Sequence, residues 1–430
     1  MRLCWIAAAL ALTGCAASPV VEAARAGDLE AFRARLVERL ADPEPIPRGE
    51  ARDTALGLGG RDIEHARGEV GRQTLFALRP CAGALDAALR ERSAADDEAA
   101  AWSAFLRADA GSVSASEYVD RLESSFDGWR AAAARGLGAE RSEEARAWRV
   151  RLLHDPSGIV RQAAVLSAAA AATESDVDAL FEAARLDPNE QVRALALAGI
   201  GRVGGEVAVL RLKDVWEAAE EADRVRIVAA WAAPASRAAG GQVELERLLS
   251  RASGRIGVEV ALALVGDRAP ADATDLAHVA AAALERSIED GASAARVRAI
   301  EAAPLGWPAL RAAVEAARSS PDDVVAVAAH ARLAAGGAPE AQAEAHKRLA
   351  EYAEQDGPAG RAAVRALAHA GDAGALAALE RQAKSPSGDD RSEAGALYVA
   401  LGDYRGALGL LGDADPRVRG AVVCAILQAP

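Results

Sequence analysis

The chain has 430 residues, 50 of them basic and 63 acidic, for a formal net charge of -13. Hydrophobic residues make up 51%, which excludes a disordered chain, and the acidic balance argues against a nucleic-acid binder. Aromatics are only 4% and the apolar content is mostly alanine, leucine and valine, so the core must come from closely packed helices rather than a β-sandwich.

The first element is a leader. Met1-Arg2 supplies a positive start, Leu3 to Leu12 an apolar run of about ten residues, and Thr13-Gly14-Cys15 a small-residue end. The run is too short to span a bilayer, which takes about 20 apolar residues. Leu12-Thr13-Gly14-Cys15 resembles the lipobox of bacterial lipoproteins. The resemblance implies cleavage before Cys15, acylation of Cys15, and a chain anchored in the cell envelope facing the periplasm. Ala16, where an aspartate would favour retention at the inner membrane, points to the outer membrane. With Cys4 removed and Cys15 acylated, Cys81 and Cys424 remain. They are too few for a disulfide framework or a zinc site and read as two small buried residues.

Residues 15–126 read as the anchor segment followed by irregular helical repeats that start the same solenoid, with a separate small helical domain as the alternative. Glu22 to Leu40 has helical character, and Asp42-Pro43-Glu44-Pro45-Ile46-Pro47 breaks it. Arg52–Gly57 and Arg72–Phe76 look like degenerate repeat helices. From Asp127 to the C-terminus one pattern recurs: a turn, often Asp-Pro, then Val-Arg, then alanines at helical spacing. The clearest copies are Asp155-Pro156 with Val160-Arg161, Asp187-Pro188 with Val192-Arg193, and Asp415-Pro416 with Val418-Arg419. Val225-Arg226 and Val297-Arg298 lack the Asp-Pro. With weaker copies the second members fall at 130, 161, 193, 226, 257, 298, 326, 361, 391 and 419, about 32 residues apart. The long step to 298 predicts an insertion between Asp267 and Ala292. Each copy has room for two short helices, with the Asp as a cap and Val192, Ala196 and Ile200 on one buried face. One pair cannot bury its own apolar face, so neighbours must stack.

This pattern resembles the HEAT repeat, especially the short HEAT-like type of phycobilisome lyases. The resemblance implies an all-α fold, a right-handed α-solenoid (α-α superhelix) of helix pairs over 127–430 behind a 1–14 signal peptide. It also implies that second helices line a concave wall. Asp155, Arg161, Asp187, Arg193, Asp415 and Arg419 then tie neighbouring repeats together and are structural.

Little chemistry stands out. The six histidines form no His-Glu-x-x-His and no His-Glu pair, which sets aside the di-iron hydroxylases that share HEAT-like repeats. There is no Gly-x-Ser-x-Gly elbow and no phosphate loop. No catalytic residue, metal or cofactor is expected, nor a small-molecule substrate. What remains is a protein-binding surface. With the Val of each Val-Arg as position zero, positions two and six face away from the core. Leu166, Ile227 and Trp231 would then form an exposed apolar strip, unless Trp231 fills a gap among its alanine neighbours. The expected function is a lipid-anchored scaffold or adaptor in the envelope. The alternatives are a non-catalytic accessory subunit of an envelope enzyme and an unrecognised enzyme.

Overall fold

In the computed structural model, residues 18–26, 28–114, 117–266 and 269–430 are described; Cys15, the leader and the lipobox lie outside them. The described residues are helical throughout, without a strand. The chain forms two compact units, Met1–Leu106 with Leu379–Pro430, and Arg107–Ala378.

The first unit opens with α1 (Pro19–Arg25), α2 (Leu29–Ala41), α3 (Arg48–Glu64), α4 (Gly68–Ala77), α5 (Asp86–Arg92) and α6 (Glu98–Asp109), whose last turn leads into the second. The second unit is a run of paired helices. It holds α7 (Asp127–Gly136), α8 (Glu143–Leu152), α9 (Gly158–Ala171), α10 (Val177–Leu186), α11 (Glu190–Val203), α12 (Gly205–Ala218) and α13 (Glu221–Ala232). A broken first helix follows, α14 (Pro234–Ser236) and α15 (Gln242–Leu249) joined by a wider π-type turn, then α16 (Gly254–Val265). The unit continues with α17 (Asp275–Asp290), α18 (Ser293–Ala302), α19 (Pro308–Ala317), α20 (Asp323–Gly336), α21 (Pro339–Ala353) and α22 (Pro358–His369). The first unit resumes at Leu379, within α23 (Leu376–Gln382), and holds α24 (Gly388–Leu401), α25 (Tyr404–Leu411) and α26 (Pro416–Gln428).

Second helices stack on second helices: α7 on α9, then α11, α13, α16, α18, α20 and α22 in order. This is the α-solenoid arrangement of helix pairs. Val192, Ala196 and Ile200 are fully buried, as their four-residue spacing requires. Alanine brings helix axes close, and glycine brings them closer. A side chain on Gly201 would sit 2.7 Å from the Cα of Ala230, so α11 can meet α13 only with glycine there. Gly204 ends α11 at φ +70, and a side chain there would strike Ala235.

The helix starts differ in register from the sequence reading. Asp155 and Asp187 stand two residues before the cap positions, which are Ser157 and Asn189. Each aspartate instead accepts the backbone N–H two residues on, from Ser157 and from Asn189 at 2.8 Å, and so shapes the turn. The long step before 298 is a loop together with the sixteen-residue α17.

Two expectations about the ends change. The sequence reading ran one array from 127 to the C-terminus, whereas the last repeats gather with the N-terminal helices. In the first unit α26 packs on α3 and α4, and Arg419 Nη2 lies 3.1 Å from Asp62 Oδ2 on α3. Cys81 and Cys424 are buried as expected, but they are not two separate thiols: they form a disulfide across a sequence separation of 343. The missing link in the sequence was the contact itself, since nothing in the spacing places α26 beside residue 81.

Candidate protein-binding groove

A polar ladder runs along the helix pairs that precede the groove. Arg130 donates to Asp155 from Nε at 2.8 Å and Nη2 at 3.0 Å, while its Nη1 donates to the Ser124 carbonyl six residues back. Arg161 repeats this with Asp187, at 2.7 and 3.1 Å, and its own Asp155 carbonyl. Arg193 follows with Asp223 at 3.3 Å and the Asp187 carbonyl. Each guanidinium therefore closes its own turn and reaches the aspartate of the next one. The carboxylate hydrogen bonds hold Arg130 and Arg161 above the ordinary arginine pKa, against the opposing cost of burial. In the first unit Arg391 takes Asp413 in the same way, and Arg419 takes Asp62.

Of the six residues read as structural, Asp155, Arg161, Asp187 and Arg193 pair along this ladder, and Arg419 pairs with Asp62 on α3. Asp415 does not take part in the ladder. The ladder position is Asp413, which also accepts the Asp415 N–H, and Asp415 caps α26 by accepting from the Arg417 N–H. The Asp-Pro pair here is displaced by two residues from its counterparts at 155 and 187.

The ladder reverses after Asp223. The α13 cap is Glu220, so Asp223 and Arg224 hold the places that Val160-Arg161 and Val192-Arg193 hold after Ser157 and Asn189, and Arg224 donates from Nε to the Trp216 carbonyl rather than to an aspartate ahead. The Val225-Arg226 pair is thus out of register with the earlier copies. Arg226 Nη2 instead points back to Glu190 on α11 at 2.6 Å, and Arg298 Nε points back to Glu259 on α16 at 2.6 Å. Beyond this point a cavity of about 560 Å³ opens across α13, α16 and α18. Val228, Ala229, Ala232 and Leu262 give it an apolar floor, and Arg255, Glu259 and Arg298 a charged rim. Ala229 is exposed and Val228 buried beneath it. Arg255 is exposed and has no ion-pair partner among the described residues, whereas Glu259 and Arg298 neutralise each other.

The shift of register also corrects the strip proposed from sequence. Ile227 and Trp231 are both 0% exposed. Trp231 lies against Trp216, ring centroids 5.5 Å apart, and points its indole N–H toward the Val209 carbonyl on α12 at 3.5 Å. It is the large filler among small neighbours. Ala299 and Ala303, expected to face away, are likewise fully buried. Leu166 is half-buried on α9 and is not joined to the other two. The sequence reading missed Ala229, Arg255 and Leu262. Aligning copies on the helix starts rather than on Val-Arg makes Asp223 position zero and puts Ile227 and Trp231 at the core-facing positions four and eight.

No group of His, Cys, Asp and Glu among the described residues is arranged to hold a metal. Among the described residues no helix is long and apolar enough to cross a membrane.

The helical pairs define an α-helical repeat protein. Residues 116–201 match the family of HEAT repeats, the segment that carries α7 to α11. No curated protein matches the chain. Among solved structures, an engineered protein overlays at a TM-score of 0.27 with 18% identity, over 77% of this chain and 98% of that one.

Proposed function

We propose that the chain is a non-catalytic scaffold that binds a partner protein through the groove across α13, α16 and α18. The observation that carries this is the open apolar floor of Val228, Ala229, Ala232 and Leu262 beside Arg255, which has no ion-pair partner among the described residues. Open apolar surface bounded by charge is the usual form of a docking site. The groove suits a segment with one apolar anchor for the alanine-lined floor and an acidic neighbour for Arg255. The match of residues 116–201 to HEAT repeats supports an interaction role for the fold.

The lipobox-like Leu12-Thr13-Gly14-Cys15 supports the location. Acyl chains on Cys15 tether the scaffold to the envelope membrane, the outer one on the strength of Ala16, with the repeats facing the periplasm. At about 0.8 kcal/mol per buried CH₂, two or more chains make a stable anchor. Cys15→Ser tests this by detergent partitioning: the variant should move to the aqueous phase, and a variant as membrane-bound as wild type overturns the anchor. Ala229→Arg tests the groove by filling its apolar floor with a long charged side chain. It should remove a protein that co-purifies with the wild type from native membranes while leaving the melting temperature unchanged. Retention of every partner overturns the assignment.

A further inference from the structure

A second cavity, of about 500 Å³, lies within the first unit, between α1, α3 and α5. Four arginines line it, Arg25, Arg61, Arg67 and Arg92, against two glutamates, Glu64 and Glu91. That is a net positive cleft in a chain whose net charge is -13. Like charges gathered in one cleft repel unless anions answer them, so the partners of each guanidinium decide the matter. Arg61 pairs with Asp62 at 2.7 Å. Arg92, only 6% exposed in its side chain, gives Nη2 to Asp97 at 2.8 Å, while its Nε is buried without an acceptor. Arg67 spends Nη1 on the backbone carbonyls of Glu64 and Ala66. Neither Arg67 nor Arg25 has a carboxylate within ion-pair distance among the described residues, and both are exposed.

The floor is cut to leave room. A side chain at Gly57 would meet the Arg25 Cγ at 2.9 Å, pushing that guanidinium out of place. Glycine there lets α1 carry Arg25 over the cleft.

We propose that this cleft binds a small molecule through an oxyanion group, a carboxylate or a phosphate, held by Arg25 and Arg67 above the buried Arg92. Guanidinium forks match both groups in bidentate geometry. The volume admits a metabolite-sized molecule rather than a bare ion. Because all of these residues belong to the first unit, the site is independent of the groove in the second.

Isothermal titration calorimetry on the full chain tests it with succinate and inorganic phosphate as separate probes, each against sodium chloride of equal ionic strength. Saturable binding of either probe is expected, weakened at least about tenfold in Arg25→Gln and in Arg67→Gln. The probe that binds identifies the group recognised. The Arg25 side chain packs along Gly57 but makes no hydrogen bond or ion pair among the described residues, and glutamine keeps its first methylenes, so Arg25→Gln decides the matter if the Arg67 variant proves unstable. Heats no larger than those of chloride for both probes, or equal affinity in Arg25→Gln, overturn the proposal.

Discussion

Replacing Trp231 by alanine asks whether its side chain is core or surface. The indole is 0% exposed and stacks on Trp216 at 5.5 Å. Burying a tryptophan removes roughly 150–250 Å² from water. At about 25 cal/mol per Å² this is worth roughly 4–6 kcal/mol. An extended-chain reference overstates such sums by roughly 10–40%, which brings the figure to about 3–5 kcal/mol. The contact to the Val209 carbonyl, at 3.5 Å, is at the outer limit of a hydrogen bond and adds little. Urea denaturation followed by circular dichroism at the helical band should show a transition lowered by that amount, with the helical signal of the native state preserved. A loss under about 1 kcal/mol would refute the packing argument, because no repacking of small neighbours fills so large a gap.

Breaking one rung of the ladder, Arg161→Ala, leaves Asp187, 4% exposed in its side chain, without its partner and should cost about 3 kcal/mol. The double variant with Asp187→Ala should cost less than the sum of the singles, and simple additivity in denaturant titrations would contradict the pairing. Replacing Cys81 and Cys424 with serine should destabilise the first unit by up to about 5 kcal/mol on the loop-closure argument. Hydrogen exchange should rise in α4 and α26, and two reactive thiols at these positions in unreduced, denatured protein would disprove the bond. His330 is buried with Nδ1 unpartnered, and burial holds its pKa below the ordinary value, with Arg318 and Arg348 adding and Glu344 and Glu351 opposing. A histidine depressed in the folded state gives stability that is present above the unfolded pKa, about 6.5, and lost as pH falls below it. His330→Leu should therefore flatten the fall in melting temperature between about pH 7 and pH 5. An unchanged slope would assign the effect elsewhere, since Asp97 and Asp372, also depressed, act only below the usual carboxylate range.

The helix pairs were legible because their determinants are local. Turn aspartates, Val-Arg and alanines at four-residue spacing fall within one repeat, and Val192, Ala196 and Ile200 show the result. The ladder was legible in part for the same reason, as Arg161 and Asp187 are only 26 residues apart. What failed was register. Val225-Arg226 looks like the other copies but sits two residues late relative to the start of α13, where Asp223 and Arg224 hold the places of Val192 and Arg193, and that shift turns Ile227 and Trp231 inward. Asp415 misled in the same way beside Asp413. The pairings of Cys81 with Cys424 and of Asp62 with Arg419 were hidden for another reason. Each joins residues more than 340 apart, and a local pattern holds no information on such contacts. Two leftover cysteines in a chain that the sequence reading expected to be exported were the available signal for the first.

A photo-crosslinking residue placed at Ala229 in cells tests the groove most directly, with the same residue at Leu210, 60% exposed on the first helix α12, as the control. The groove predicts a discrete cross-linked protein from position 229, absent from 210 and abolished when Arg255→Glu reverses the rim charge. Cross-links of equal yield from both positions, or from 210 alone, would contradict it.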